Sequence, residues 1–254
     1  MQTKKGGDTV RLDKLLTATA TATRSEAARA VRRGAVTVNG VAARKADMTV
    51  DPNNDDVVYC GERVRYREHY YILLNKPAGY VSATEDGREP TVLTLLPLRY
   101  QTLGLFPCGR LDKNTTGLML LTDDGALAHR LLSPRHHVEK RYRFTVKFPL
   151  TEEECERFRG GLTLEDGYET KPAGIVLDGD KKSGVITLVE GKYHQIKRMM
   201  LSLHNQITSL ERISFGPLTL PLALARGEWR ELSPEEERAL LRAAEASPQS
   251  NDQP

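Results

Sequence analysis

The 254-residue sequence has no long apolar run and no pattern of paired cysteines. Its longest uncharged, apolar-leaning stretch is the 13 residues from Ile213 to Ala225, which include two prolines, whereas a membrane-spanning helix needs about 18. Three widely spaced cysteines, Cys60, Cys108 and Cys155, argue against a disulfide framework and favour a reducing compartment. The N-terminal MQTKKGGDTV has no apolar segment behind its basic residues, so we expect no secretory signal. The sequence thus predicts a cytoplasmic protein that makes no contact with a membrane.

The common catalytic signatures are also missing. The sequence has no phosphate-binding Gly-Lys-Ser/Thr loop, no dinucleotide-binding glycine pattern, no serine nucleophile elbow and no paired zinc-type cysteines. His129 and the adjacent pair His136 and His137 have no cysteine or carboxylate at ligand spacing, so no metal site is expected. The acidic run 51–62 resembles a calcium loop but lacks the glycine at its sixth position, and we interpret it as a polar turn.

The overall charge is nearly balanced, but its distribution along the chain is not. Hydrophobic residues make up 39% and charged residues 28%, as in ordinary globular proteins, and the length suits two domains. Residues 1–67 contain 13 Lys and Arg against 8 Asp and Glu, a net of +5, and the remaining 187 residues have a net of −2. This asymmetry indicates a small basic module that binds a polyanion, or else a solvated charged surface.

The basic module reads as two helices followed by a hairpin. Residues 11–16 fit a short helix, and Thr23 with Glu26 forms a capping box that begins a second one. Gly34 supplies the left-handed residue that ends this helix, and residues 36–41 follow as strand, Asn-Gly turn and strand.

The segments RLDKLL and TRSEAARAVRRGAVTVNG resemble the RNA-binding domain named after ribosomal protein S-four, also called the alpha-L motif. The resemblance covers roughly residues 10 to 60 and implies that this module binds RNA. Clustered guanidinium and ammonium groups bind the RNA backbone by displacing its counterions. The basic side chains that we expect to contact RNA are Arg11, Lys14, Arg24, Arg29, Arg32, Arg33 and Lys45.

From residue 70 onward, short strands alternate with helices of moderate length, which predicts an α+β domain. We place domain boundaries at 1–64 and 68–246, with a disordered tail over 247–254. The expected strands are 71–74, 80–81, 118–122, 142–148 and 184–189, and the expected helices are 126–132, 151–159, 194–203 and 233–246.

The most informative segment is GRLDKNTTGLMLLTDDG, which starts at Gly109. A lone aspartate in a loop rich in glycine and threonine is usually a turn residue, and the residues alone suggest no more. However, this loop together with KPAGYV upstream, EKRYRF and EGKYHQIKRMM downstream resembles the pseudouridine synthases, in the order that family shows. Within that family the chain is most similar to the RsuA type, which joins an S-four-like domain to a catalytic domain with a mixed, largely antiparallel sheet.

The resemblance implies roles for two charged residues. Asp112 matches the catalytic nucleophile, which attacks either the ribose anomeric carbon or carbon 6 of uracil so that the base detaches, turns and rejoins through carbon 5. Lys197 matches the basic residue that pairs with this aspartate, and without the resemblance we would interpret it as a lysine on a helix surface.

Further roles follow from the same resemblance. Tyr142 matches the tyrosine that stacks on the flipped base and accepts the carbon-5 proton, although an aromatic residue opening a strand is otherwise usually core. Arg110 matches a residue that inserts where the target base has left the stack, because stacked uridine is inaccessible to chemistry. Lys76 and Pro77 belong to the first motif, for which we expect a structural role.

The implied activity is isomerisation of a specific uridine to pseudouridine in ribosomal RNA, without cofactor or metal. Lys192-Tyr-His-Gln195 is closer to the small-subunit (16S) pattern than to the Arg-Asn-Arg-Gln of large-subunit relatives. The alternatives are a large-subunit enzyme and a non-catalytic RNA-binding assembly factor, whereas an RNA methyltransferase would need a glycine-rich cofactor loop. We expect a monomer whose partner is ribosomal RNA or an assembling ribosomal subunit.

Overall fold

The structure, a computed structural model, describes residues 9–19, 21–64, 66–133 and 138–245. The chain divides into two compact units, the first comprising Met1–Tyr70 with Leu96–Leu105 and the second Tyr71–Leu95 with Phe106–Pro254. The expected disordered tail and the histidine pair at 136–137 lie outside the described residues.

The first unit contains short strands and helices around one small core. Its elements are β1 (Val10–Arg11), α1 (Leu12–Ala18), α2 (Arg24–Arg32), β2 (Val36–Val38), β3 (Val41–Ala42), β4 (Thr49–Val50), β5 (Val57–Tyr59), β6 (Glu62–Arg63) and α3 (Leu98–Gln101). Strands β3, β2, β5 and β6 form an antiparallel sheet in that order, and β1 pairs with β4. Apolar side chains from both long helices and from β2, β4 and β5 form its core.

Local signals in the sequence explain where these elements begin and end. Thr23 accepts a hydrogen bond from the Glu26 amide while the Glu26 carboxylate accepts one from the Thr23 amide at 2.8 Å, which confirms the capping box. Gly34 has φ +71° beyond the end of α2, and Asn39 and Gly40 have φ +52° and +78° in the hairpin turn. The helix expected over residues 11–16 is α1, which begins one residue later and extends to Ala18.

The second unit is built on one large sheet. Its elements are β7 (Tyr71–Lys76), a 3-10 turn (Val92–Leu95), β8 (Phe106–Pro107), β9 (Thr116–Thr122), α4 (Gly125–Leu132), β10 (Lys140–Val146), α5 (Glu152–Gly160), β11 (Gly174–Leu177), β12 (Ser183–Leu188), α6 (Gln195–Ser202), β13 (Ile207–Phe215), β14 (Leu218–Thr219), β15 (Trp229–Glu231) and α7 (Pro234–Glu245). Every helix in the described part of the chain is too short or too polar to cross a bilayer.

The main path of this sheet runs β11, β12, β10, β13, β9, β7 and β15, with β14 beside β13 and β8 beside β9. Among the strands that the structure describes, β9 and β13 form the one parallel pair, and the other pairs are antiparallel. This confirms the α+β class with a mixed, largely antiparallel sheet. The strand expected at 80–81 is wrong: Val81 makes only an isolated bridge to Thr91, because the chain there leaves the sheet to support a loop.

The parallel pair depends on a glycine. Gly117 has φ +100°, and a side chain at this position would place its Cβ 2.2 Å from the backbone oxygen of Arg212. Glycine therefore permits β9 to approach β13 at the point where the preceding loop, residues 109–115, joins the sheet.

Candidate active site

The loop 109–115 is held by a lysine buried beneath it. The Lys76 side chain is fully buried, and its Nζ donates to the backbone oxygens of Pro77, Lys113 and Thr115 at 2.9–3.0 Å. Burial lowers the pKa of Lys76 to about 8, although the charge of Asp112 opposes that shift. Lys76 thus holds the backbone of the loop directly after Asp112, in line with the structural role expected of it.

A second contact fixes the middle of this loop. The Ser82 hydroxyl donates to the Leu111 oxygen at 2.6 Å and accepts from the Leu111 amide at 3.0 Å. The Gly79 amide donates to the Lys113 oxygen at 2.9 Å. The segment after β7 therefore supports the loop from one side, and Asp112 projects between these anchored positions.

Asp112 faces two basic groups at the start of α6. Lys197 Nζ lies 2.5 Å from Asp112 Oδ2, and His194 Nε2 lies 3.3 Å from Asp112 Oδ1. His194 precedes α6 in the left-handed conformation, with φ +50°, which brings its ring back towards the loop. Asp112 remains 24% exposed, so the carboxylate contacts Lys197 and His194 and is still accessible to a substrate.

One cleft of about 80 Å³ collects the residues that the sequence singled out. Arg110, Asp112, Tyr142 and Lys197 all line it. Tyr142 extends from β10 at a bulge against β13, and only 8% of it is exposed. Within the described residues its hydroxyl has no hydrogen-bond partner, and Arg110 is exposed and forms no ion pair. A hydroxyl and a guanidinium group are therefore free beside the carboxylate.

Sequence reasoning missed the part played by His194 and the extent of the support from Lys76. A histidine three residues before Lys197 and a lysine ending a fully buried strand were the available signals. Neither signal reveals a contact that forms only through the tertiary fold. Among the described residues, no three His, Cys, Asp or Glu side chains are grouped as a metal site would require.

The seven basic residues expected to bind RNA are all exposed in the first unit: Arg11, Lys14, Arg24, Arg29, Arg32, Arg33 and Lys45. Arg11 forms an ion pair with Asp13 at 2.7 Å, and this contact lowers the pKa of the Asp13 carboxyl. The other six have no ion pair within the described part of the chain. Arg29, Arg32 and Arg33 lie near the C-terminal end of α2, opposite the buried Ala27, Ala30 and Val31.

Comparison with known proteins agrees with both parts of this arrangement. The RNA pseudouridylate synthase family matches residues 70–202, and the S4 domain matches residues 10–56. An uncharacterized RNA pseudouridine synthase of Bacillus subtilis (strain 168) is 45% identical over 240 residues, covering 93% of this chain and 100% of the relative. Ribosomal small subunit pseudouridine synthase A of Escherichia coli (strain K12) is 41% identical over 232 residues, covering 89% and 98%.

A solved structure gives the same result. A crystal structure of a pseudouridylate synthase superposes with a TM-score of 0.65 at 36% sequence identity, covering 91% of this chain and 99% of that one. The matches include the loop that carries Asp112 and the helix that carries Lys197. The chain belongs to the RNA pseudouridine synthase family and combines its catalytic domain with an S4 domain.

Proposed function

We propose that this protein isomerises a specific uridine to pseudouridine in small-subunit (16S) ribosomal RNA. The observation that carries the proposal is the accessible carboxylate of Asp112, held by Lys197 at 2.5 Å in a cleft that Tyr142 also lines. Relatives named for small-subunit pseudouridine synthesis, at 37–41% identity over most of the chain, support the choice of ribosomal subunit.

In the proposed reaction, Asp112 forms a covalent bond to the substrate. Its carboxylate oxygen attacks either the ribose anomeric carbon, which displaces N1 of uracil, or carbon 6 of the ring, after which the bond between N1 and the anomeric carbon breaks. After the base has turned, carbon 5 bonds to the anomeric carbon, the bond to Asp112 breaks, carbon 5 loses its proton and N1 gains one. Lys197 compensates the carboxylate charge in the partly buried cleft before attack and after release.

Two further residues handle the flipped nucleotide. The Tyr142 ring provides a stacking surface for uracil, and its hydroxyl, which has no hydrogen-bond partner among the described residues, accepts the carbon-5 proton. Arg110, exposed at the mouth of the cleft, fills the space left in the RNA stack, where its guanidinium plane offsets part of the unstacking cost of a few kcal/mol.

The first unit supplies the RNA contacts in this proposal. Its basic residues on and near α2 bind phosphates, which positions the RNA without reading its sequence. We assign this role to residues 1–64 and the chemistry to residues 68–246. The proposal includes a monomer acting in the cytoplasm on ribosomal RNA or an assembling ribosomal subunit, and the three free cysteines support a reducing compartment.

Pseudouridine mapping of ribosomal RNA tests this function directly. Cells that lack the protein should lose one pseudouridine from 16S RNA, and the wild-type gene, but not an Asp112→Asn variant, should restore it. Loss from large-subunit RNA would contradict the choice of subunit. An unchanged map, with normal binding of the purified protein to ribosomal RNA, would favour a non-catalytic assembly factor.

A further inference from the structure

A second cavity, of about 220 Å³, adjoins the cleft around Asp112. Arg110, Tyr142, Glu190 and Lys192 line both, so the two spaces share a wall within the second unit. The lining of the second cavity includes five cationic residues and one carboxylate residue, and we call this cavity the basic cavity. These residues are Arg110, Lys140, Lys171, Lys192 and Arg212, with Glu190.

Two of these cations are buried. Lys140 is 9% exposed and Arg212 only 1%. Lys140 Nζ donates to the Val138 oxygen at 2.7 Å, and Arg212 Nε donates to the Leu118 oxygen at 2.7 Å. The Phe215 ring centre lies 5.7 Å from Lys140 Nζ and 5.2 Å from the Arg212 guanidinium carbon. All four of these contacts are to neutral groups.

Within the described residues, no carboxylate forms an ion pair with Lys140 or Arg212. Burial, together with the charge of Arg212, lowers the pKa of Lys140 to about 8. Keeping two positive charges in a partly dry cavity is unfavourable unless an anion joins them.

The one carboxylate in the wall does not fill this need, because it is engaged elsewhere. Glu190 accepts hydrogen bonds from the Tyr168 hydroxyl at 2.8 Å, the Lys171 amide at 3.0 Å and Gln195 Nε2 at 2.5 Å. These contacts tie Glu190 to the segment before β11 and to the first residue of α6. Lys192 is exposed at the cavity wall, with its Nζ 4.9 Å from the centre of the Tyr168 ring, and adds positive charge.

We propose that the basic cavity binds a phosphodiester group of the RNA strand, next to the uridine that enters the cleft at Asp112. This inference rests on the proposed function, since that function places the neighbouring nucleotides beside Arg110 and Tyr142. The phosphate supplies the missing negative charge, and lysine and arginine donate charge-assisted hydrogen bonds to its oxygens. The cavity thereby fixes the strand on one side of the flipped nucleotide.

Small nucleotides test the phosphate subsite without knowledge of the target uridine. The full-length protein is titrated with uridine, uridine 5′-monophosphate, uridine 3′-monophosphate and inorganic phosphate, and binding is followed by NMR. We expect one monophosphate to bind about tenfold or more tightly than uridine. Lys140→Met and Lys192→Gln should each reduce the ratio of monophosphate affinity to uridine affinity towards one. Lys192 is exposed, so Lys192→Gln preserves the fold.

The matched control is Lys182→Gln, which removes an exposed lysine directly before β12, whereas the basic cavity lies beyond the other end of that strand. This control should leave the ratio unchanged. Equal binding of uridine and both monophosphates to the wild type would overturn the proposal. So would a ratio that survives both cavity substitutions. Inorganic phosphate that binds as tightly as the better monophosphate would indicate a site for free phosphate and overturn the assignment to RNA. If the wild type binds uridine and both monophosphates equally but forms pseudouridine, only the subsite is refuted. If the wild type shows the ratio, the cavity variants lose it and no pseudouridine is formed, only the function is refuted.

Discussion

The two oxygens of Asp112 have different partners, Lys197 on one side and His194 on the other. Because each oxygen is held separately, the plane of the carboxylate is fixed relative to the cleft. Both basic residues come from the start of α6, so a single element orients the proposed nucleophile. An attacking group that is already oriented loses little further entropy when the substrate arrives.

Asp112→Asn should abolish isomerisation and leave the fold and RNA affinity unchanged. The amide has the same shape as the carboxylate but cannot act as the nucleophile. Tritium release from RNA labelled at carbon 5 of uridine measures the reaction, and filter binding measures affinity. Release near the wild-type rate would remove Asp112 from the catalytic role.

Tyr142→Phe should reduce turnover by about a hundredfold or more and change RNA binding little, because the ring still stacks while the proton acceptor is gone. Single-turnover rates at saturating RNA separate the two effects. If affinity collapses while the single-turnover rate persists, Tyr142 serves the structure of β10 instead of the chemistry.

At the level of elements, the loop 109–115 depends on a cation placed in the interior. Three backbone oxygens converge on Lys76 Nζ, and a neutral amine has only two N–H groups to offer them. The protonated form therefore matches these acceptors, while burial opposes its charge. The pKa of about 8 reflects this opposition.

A pH dependence of stability follows from this lysine. In the folded protein the pKa of Lys76 is about 8, below its ordinary 10.5, so between these values the unfolded chain binds more protons there. The contribution of Lys76 to the unfolding free energy then rises with pH, by at most about 1.4 kcal/mol per unit. We expect the stability of the wild type relative to Lys76→Met to increase between about pH 8 and about pH 10 in urea unfolding. A constant or shrinking difference would contradict this, and Lys182→Met is the exposed control.

The extent to which the sequence predicts these elements follows from how local their signals are. The capping box at Thr23 and the glycine at Gly34 act within one helical turn, so the bounds of α2 could be anticipated. The pairing of β9 with β13 joins Thr116 to Glu211, and no pattern in either strand specifies the other. For the same reason, the motifs indicated Asp112 and Lys197 through family resemblance, whereas the contact of Asp112 with His194 needed the fold.

At the scale of the whole molecule, the first unit should anchor RNA independently of the chemistry in the second. Arg29→Glu combined with Arg32→Glu should weaken binding to all RNA sequences and lower the slope of log affinity against log salt by about 0.7–0.9 per lost phosphate contact. The single-turnover rate at saturating RNA should stay close to that of the wild type, because the lost binding is shared by ground and transition states.

Affinity measured across a salt series checks this prediction. The matched control is Lys181→Glu with Lys182→Glu, which reverses two exposed charges in the second unit. Normal binding of the arginine variant at every salt concentration would show that the first unit is not the electrostatic anchor, and would favour a protein-docking role for it.

The central position of β13 has a consequence for synthesis on the ribosome. This strand ends at Phe215 and lies between β10 and β9, so those two strands have no shared neighbour until residues 207–215 have been translated. Asp112 leaves the ribosome 85 residues before Lys197. The sheet can close only later, when β13 has also emerged. A nascent chain therefore holds an unpaired, unoriented aspartate until α6 has emerged, and competence for chemistry arises only after β13 has followed.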